Sequence, residues 1–217
     1  MRITLAGIVG GGLLVVTGVV AGCNIVGPAF YLVHGPEKTK RLYELDAKRA
    51  TVVFVDDRGN RVPRRSLRLM IAQEAEKTLL KGKALEDMIS ADSAMAAAGN
   101  DRSDRPAPIT EIGRALKADV VIYATVDQFD LSPDGATYAP AAVLRVKVID
   151  AANDTRLWPA DAAGHPLTVR MTARSRDIPT GTAARYTAEE ELAKQAGMEL
   201  ANLFITHETP RGATVPQ

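Results

Sequence analysis

The chain has 217 residues, with 27 Lys and Arg against 26 Asp and Glu, one cysteine, and aromatic side chains at only 5%. The charge balance lacks the basic footprint that general nucleic-acid binding needs. A lone cysteine rules out an intramolecular disulfide, so the fold rests on packing of a mainly aliphatic core.

The first segment is uncharged from Ile3 to Val20 behind a single Arg2, and it closes with Val20-Ala21-Gly22-Cys23. This end resembles the lipobox of bacterial lipoprotein signal peptides. That resemblance implies cleavage between Gly22 and Cys23 and lipidation of Cys23 as the mature first residue, with the leader at 1–22. Val20 stands where the family most often has Leu. Asn24 in place of Asp favours, by the sorting rule of enteric bacteria, the outer membrane facing the periplasm over the inner membrane. The run is near the length of a membrane span, which leaves an uncleaved anchor helix as the alternative. Gly10-Gly11-Gly12 argues for a removable signal, since each glycine costs a helix about 1 kcal/mol relative to Ala. Gly7 to Gly12 also mimics a dinucleotide-binding turn. The next helix would be apolar on every face and no acid appears before Glu37, so nucleotide binding is rejected.

Without the leader, 195 residues remain with 26 charges of each sign, enough for one domain. Residues 23–49 read as a lipidated tether, with Gly27, Pro28, Gly35 and Pro36 as punctuation. The compact domain is expected at 50–206. Thr51 to Val55 is a β-branched run that ends in Asp56-Asp57, a buried strand. Ser66 is a candidate cap, and Leu67, Met70, Ile71, Ala75, Thr78 and Leu79 recur at helical spacing to Gly82. A short strand near 85–89 precedes a small alanine-rich helix capped by Ser90 or Asp92. An exposed charged loop, Asp101 to Arg105, leads to a short helix carrying Ile109, Ile112 and Leu116.

Asp119 to Val126 is the most strand-like run, its first half continuously apolar as in a central strand, and its second half, through Phe129 and Leu131, alternates with Gln128 and Asp130. Ser132-Pro133-Asp134-Gly135 is a turn. Residues 142–150 and 167–174 alternate apolar against polar, with a partial return at Leu157-Trp158 that Pro159 interrupts. Thr187 to Glu190 fits a capping box opening a last amphipathic helix with Leu192, Ala196, Leu200 and Leu203 as its stripe. A tail follows at 207–217. The expected architecture is α/β (α+β): one mixed sheet of about five strands with three to four helices, the carboxy-terminal amphipathic helix lying on the sheet.

The segment Ile112-Gly113-Arg114-Ala115-Leu116-Lys117-Ala118-Asp119, running into Val120–Val126, resembles an element of bacterial envelope proteins. They are the amino-terminal domain of the Tol-system β-propeller protein and the curli-secretion and penicillin-binding-protein-activator lipoproteins. In these a helix "GR.LGA(D)" enters a strand. A later "V.D...G...W" is matched here by Val146 to Trp158, with Asn153-Asp154 in place of the glycine-containing turn. The chain is also similar to uncharacterised lipoproteins of planctomycete-type bacteria. The resemblance implies an α/β domain used for protein contacts and assembly, with no enzyme activity implied.

The candidate chemistry is sparse. Asp56-Asp57 at a strand end resembles the acidic pair of receiver domains and defines the alternative reading, an envelope metal-binding sensor or enzyme at that corner. The bland reading is solvated acids at a turn. His34, His165 and His207 stand apart in loops or termini without a second ligand at metal spacing. No serine lies in a nucleophile elbow, and Asp127 and Asp130 are expected on opposite faces of their strand. No catalytic residue, metal ligand or cofactor is therefore assigned. Arg145, Lys147, Arg170 and Arg174 would share the wet face if their strands pair antiparallel, a candidate patch for an acidic partner or anionic glycan. The function expected is a non-enzymatic binding or assembly subunit of the envelope. Its partners would be the membrane, through lipid, and an envelope protein, a cell-wall polymer or a second copy of the chain.

Overall fold

In the computed structural model, residues 38–99, 108–172 and 178–208 are described. Gly22, Cys23 and His34, the Asp101–Arg105 loop, and Arg174 lie outside them. The elements in chain order are β1 (Lys38–Thr39), β2 (Thr51–Asp56), α1 (Arg65–Lys81), β3 (Met88–Ile89), α2 (Ala91–Gly99) and α3 (Ile109–Ala115). They continue with β4 (Val120–Asp130), β5 (Ala141–Asp150), β6 (Thr155–Trp158), β7 (His165–Arg170), α4 (Thr182–Asn202) and β8 (His207–Glu208). No helix among the described residues is long and apolar enough to cross a membrane.

The fold is the expected mixed α/β architecture. Strand order is β3-β2-β4-β5-β6, with β7 also paired to β5. Strand β2 runs parallel to β3 and β4, and β4 is antiparallel to β5. The last strands differ from a simple meander. Strand β7 pairs with Ala141–Val146 and β6 with Val148–Asp150, so the two share one edge of β5.

Two apolar layers flank the sheet. On one face Val53, Val55, Ile122, Ala124, Leu144 and Val146 pack under α1 and α4. On the other, Val52, Phe54, Val121 and Tyr123 pack under α2 and α3. Both faces of β2 and the first half of β4 are covered, which is why those runs are continuously apolar. Gly197 lets α4 reach the Ile71 carbonyl of α1 so closely that any Cβ there would collide with it.

Beyond Val126 the register of β4 shifts by one residue, a β-bulge at Asp127. The bulge returns Phe129 to the core face while Gln128 still pairs with Val143. Asp127 and Asp130 therefore lie on the same sheet face, contrary to the expectation from simple alternation. They do not act as a pair: Asp127 accepts from Arg145, and Asp130 accepts the Ser132 N–H.

The folded unit starts earlier and ends later than the expected limits of 50 and 206. Lys38–Thr39 pairs with His207–Glu208, and the N–H groups of Leu42 and Tyr43 reach the Leu203 carbonyl. Leu45 is buried, and Tyr43 lies 6.0 Å from Trp158. Two cap assignments also change. Helix α1 starts at Arg65 without a side-chain cap, so Ser66 is already inside it. Helix α4 starts at Thr182 after Gly181, whose φ of +93° needs a glycine. Thr187 is an interior residue bonding back to the Ala183 carbonyl.

The two segments that carry the family resemblance meet. A Cβ on Gly113 would lie 2.5 Å from that of Ala151. Arg114 Nε donates to the Ala151 carbonyl at 2.9 Å, and Ala151 N–H donates to Asp119 O. Helix α3 ends in a Schellman turn, with Ala118 N–H on Gly113 O and Lys117 N–H on Arg114 O. Lys117, where the pattern has glycine, adopts φ +58°. The motif is thus a structural clasp.

Candidate functional site

Both acids of the corner at the end of β2 are engaged within the chain. Asp57 accepts the N–H groups of Arg61 and Val62 at 2.8 and 2.9 Å, fixing the loop into α1. Asp56 accepts from Arg58 Nε at 2.8 Å and from the Tyr123 hydroxyl at 2.9 Å. Burial pushes the Tyr123 phenol up, and the adjacent Asp56 carboxylate reinforces the shift. The hydrogen bond to Asp56 likewise raises the Arg58 guanidinium. The surroundings are cationic: Arg58, Arg65 and Arg68 line the cavity beside Asp56. Such a corner repels a divalent cation rather than attracting one. Among the described residues, no group of three or more His, Cys, Asp or Glu is placed to hold a metal.

Arg145, Lys147 and Arg170 project from the outer sheet face. Arg145 sits opposite Pro166, and Arg170 opposite Ala141, so four register steps separate the two arginines, about 13 Å. Arg145 is already bound to Asp127 at 2.6 Å. Lys147 lies beside Gly164, where a Cβ would come within 3.1 Å of the lysine Cε. The face therefore mixes signs, with Arg170 at its far end.

Sequence reasoning missed a buried ion cluster at the start of α4. Glu189 is only 3% exposed and is held by Arg64 Nε and Arg185 Nε, each at 3.1 Å. Arg64 also donates to the Tyr186 carbonyl and stacks 4.3 Å over that ring. The capping-box reading assigned this acid to a helix end, when it faces Arg64 at the start of α1. Its helical spacing with Leu192 and Ala196 was the available signal.

His165 and His207 lie in strands rather than in loops. His165 begins β7 and packs 4.9 Å from Trp158, and burial pushes its imidazole down. His207 lies in β8, its Nδ1 3.2 Å from the Ile205 carbonyl.

No protein-family model matches the chain, and no curated protein is significantly similar to it. Among solved structures it is similar to the PelC dodecamer of Paraburkholderia phytofirmans, at 18% identity over 77% of this chain and 93% of that one, with a TM-score of 0.42. It is similar to the hypothetical protein CT253 of Chlamydia trachomatis at 15% identity, over 72% and 94% of the chains, TM-score 0.44. Lipoprotein GNA1162 of Neisseria meningitidis matches at 12% identity, over 66% and 92%, TM-score 0.38. Likeness at this level assigns no activity, ligand or partner.

Proposed function

We propose that this chain is a cell-envelope lipoprotein, anchored through lipid on Cys23, whose α/β domain is a non-enzymatic binding or assembly subunit. The observation that carries this reading is the apolar leader ending in Val20-Ala21-Gly22-Cys23, with the folded unit starting at Lys38. Fifteen residue steps span at most about 50 Å, so a lipidated Cys23 keeps the domain close to the membrane surface. The outer membrane facing the periplasm is the proposed location. The contact surface would meet an envelope protein, a cell-wall polymer or a second copy. The engaged state of Asp56 and Asp57 supports contact over metal chemistry at that corner.

One acyl chain anchors weakly and two or three hold firmly. Labelled palmitate should enter the wild-type chain, and the labelled protein should sediment with membranes. Cys23→Ala should abolish the label and leave an unprocessed precursor. Uptake of label by Cys23→Ala would sink the lipoprotein reading.

A further inference from the structure

The connections around β2 place a crevice at its carboxyl end. From β2 the chain crosses through α1 to β3 on one side, and from β3 it returns through α2 and α3 to β4 on the other. All three strands are parallel, and the two crossings lie on opposite faces of the sheet. In open α/β sheets a reversal of this kind, between β2 and β4, opens a crevice at the strands' carboxyl ends, where ligands bind.

A cavity of about 140 Å³ occupies this end of β2. Phe54 and Met95 form apolar walls, and Arg58, Arg65 and Arg68 line it with Asp56. Arg58 neutralises Asp56. Neither Arg65 nor Arg68 has a carboxylate within ion-pair distance among the described residues. Arg65 reaches across to α2, where its Nη2 lies 3.0 Å from the Cβ position of Gly99, a close approach that the missing side chain permits. Two arginines that have no carboxylate partner among the described residues therefore line one small apolar-walled space. Guanidinium forks suit carboxylate and phosphate oxygens.

We propose that this crevice binds a small organic oxyanion, a carboxylate or phosphate monoester carried on a flat apolar group. Arg65 and Arg68 hold the anionic head, and Phe54 and Met95 cover the apolar part. The volume lies below the range of pockets that enclose whole drug-sized ligands, so the head and a short apolar portion fill it. A second, separate depression on the other side of Arg58 is lined by Thr125 and Asp127. The site is independent of lipidation and of the contact function proposed above.

Calorimetric titration of the detergent-solubilised full chain at low salt, with phenyl phosphate, phenylacetate and inorganic phosphate, tests this. An organic anion should bind saturably at one site and more tightly than inorganic phosphate, and the tighter of the two names the head group. Arg65→Gln and Arg68→Gln should each weaken binding about tenfold or more, as expected for one lost charge-assisted hydrogen bond. Arg170→Gln, two strands away at the end of β7 on the same sheet face, should leave it unchanged. In the wild-type chain the Met95 methyl resonance should shift on titration while that of Met198 on α4 stays fixed, a readout that needs no substitution. No saturable binding at millimolar ligand, equal weakening by Arg170→Gln, or a silent Met95 methyl each overturns the proposal.

Discussion

Gly113 and Ala151 touch across the junction of α3 and the end of β5, so closely that a Cβ on Gly113 would stand 2.5 Å from that of Ala151 and 2.9 Å from Val121 Cγ2. Alanine is the better helix former by about 1 kcal/mol, yet overpacking a filled core costs about 1–3 kcal/mol. Gly113→Ala should therefore lower stability in urea denaturation despite its helix propensity. Adding Ala151→Gly should recover part of the loss, the coupling expected of residues in contact. A Gly113→Ala variant as stable as wild type would show that α3 slides freely on the sheet.

Lys117 closes the same helix in the left-handed region, at φ +58°. A side chain there costs about 1–2 kcal/mol, while glycine gives back about 0.4–1 kcal/mol through the freer unfolded chain. Lys117→Gly should thus stabilise the domain by about 0.5–1 kcal/mol and raise its melting temperature by a few degrees. A lower melting temperature would mean that the lysine makes a compensating contact.

Asp150 ties this region to the start of β2. Its carboxyl is held at about 2 by the Asn153 backbone N–H, with the Arg49 guanidinium at 2.8 Å adding to it. A depressed native value means that the stabilisation is complete above the unfolded carboxylate range, near 4. It is lost as pH falls from there toward 2. Wild type should lose stability through this window, and Asp150→Asn should start less stable at neutral pH and show a shallower acid slope. Equal slopes in the two proteins would remove Asp150 from the acid transition.

What the sequence revealed follows from how local each cause is. Strands β2, β4 and β5 announce themselves in β-branched runs, and the continuous burial of β2 and of the first half of β4 follows from helices on both faces. The antiparallel pairing of β5 and β7 follows from their shared alternation. The bulge at Asp127 is faintly legible, because Val126 and Phe129 are three apart while both face the core. The docking of residues 38–49 is not legible, since it depends on a carbonyl at Leu203 and a ring at Trp158 far along the chain. The same holds for Arg58, Arg65 and Arg68. On the page they are surface charges near a turn, and only the crossing of α1, α2 and α3 around β2 brings them to one cavity.

Glu189 offers a test of the missed ion cluster. Its carboxylate is buried between Arg64 and Arg185, whereas the neighbouring Glu190 is 39% exposed and 3.4 Å from Arg64. Removing one partner of a buried pair strands the other charge and costs about 3–5 kcal/mol at full burial. Arg64 is 27% exposed, so Glu189→Ala should cost about 2–3 kcal/mol, and Glu190→Ala less than about 0.5 kcal/mol. Comparable losses at the two positions would show that the cluster is merely a surface network.

The outer sheet face remains the first candidate for partner contact, and its geometry makes the expected result asymmetric. Arg145 is paired with Asp127, both side chains roughly two-fifths exposed, while Arg170 has no acidic partner among the described residues. Arg170→Glu should leave the melting temperature unchanged, as exposed substitutions do. Arg145→Glu sets two acids side by side and should cost about 0.5–1 kcal/mol. If the face meets an anionic envelope partner, crosslinked capture or pelleting with cell-wall material should fall in the double variant. The deficit should be greatest at low salt and should shrink as screening weakens wild-type capture too. Because Arg145 is already neutralised, Arg170→Glu alone should account for most of the loss. Capture unaffected by the double reversal at low salt would make this face solvated surface, and the contact would then belong elsewhere on the domain or to the residues ahead of Lys38.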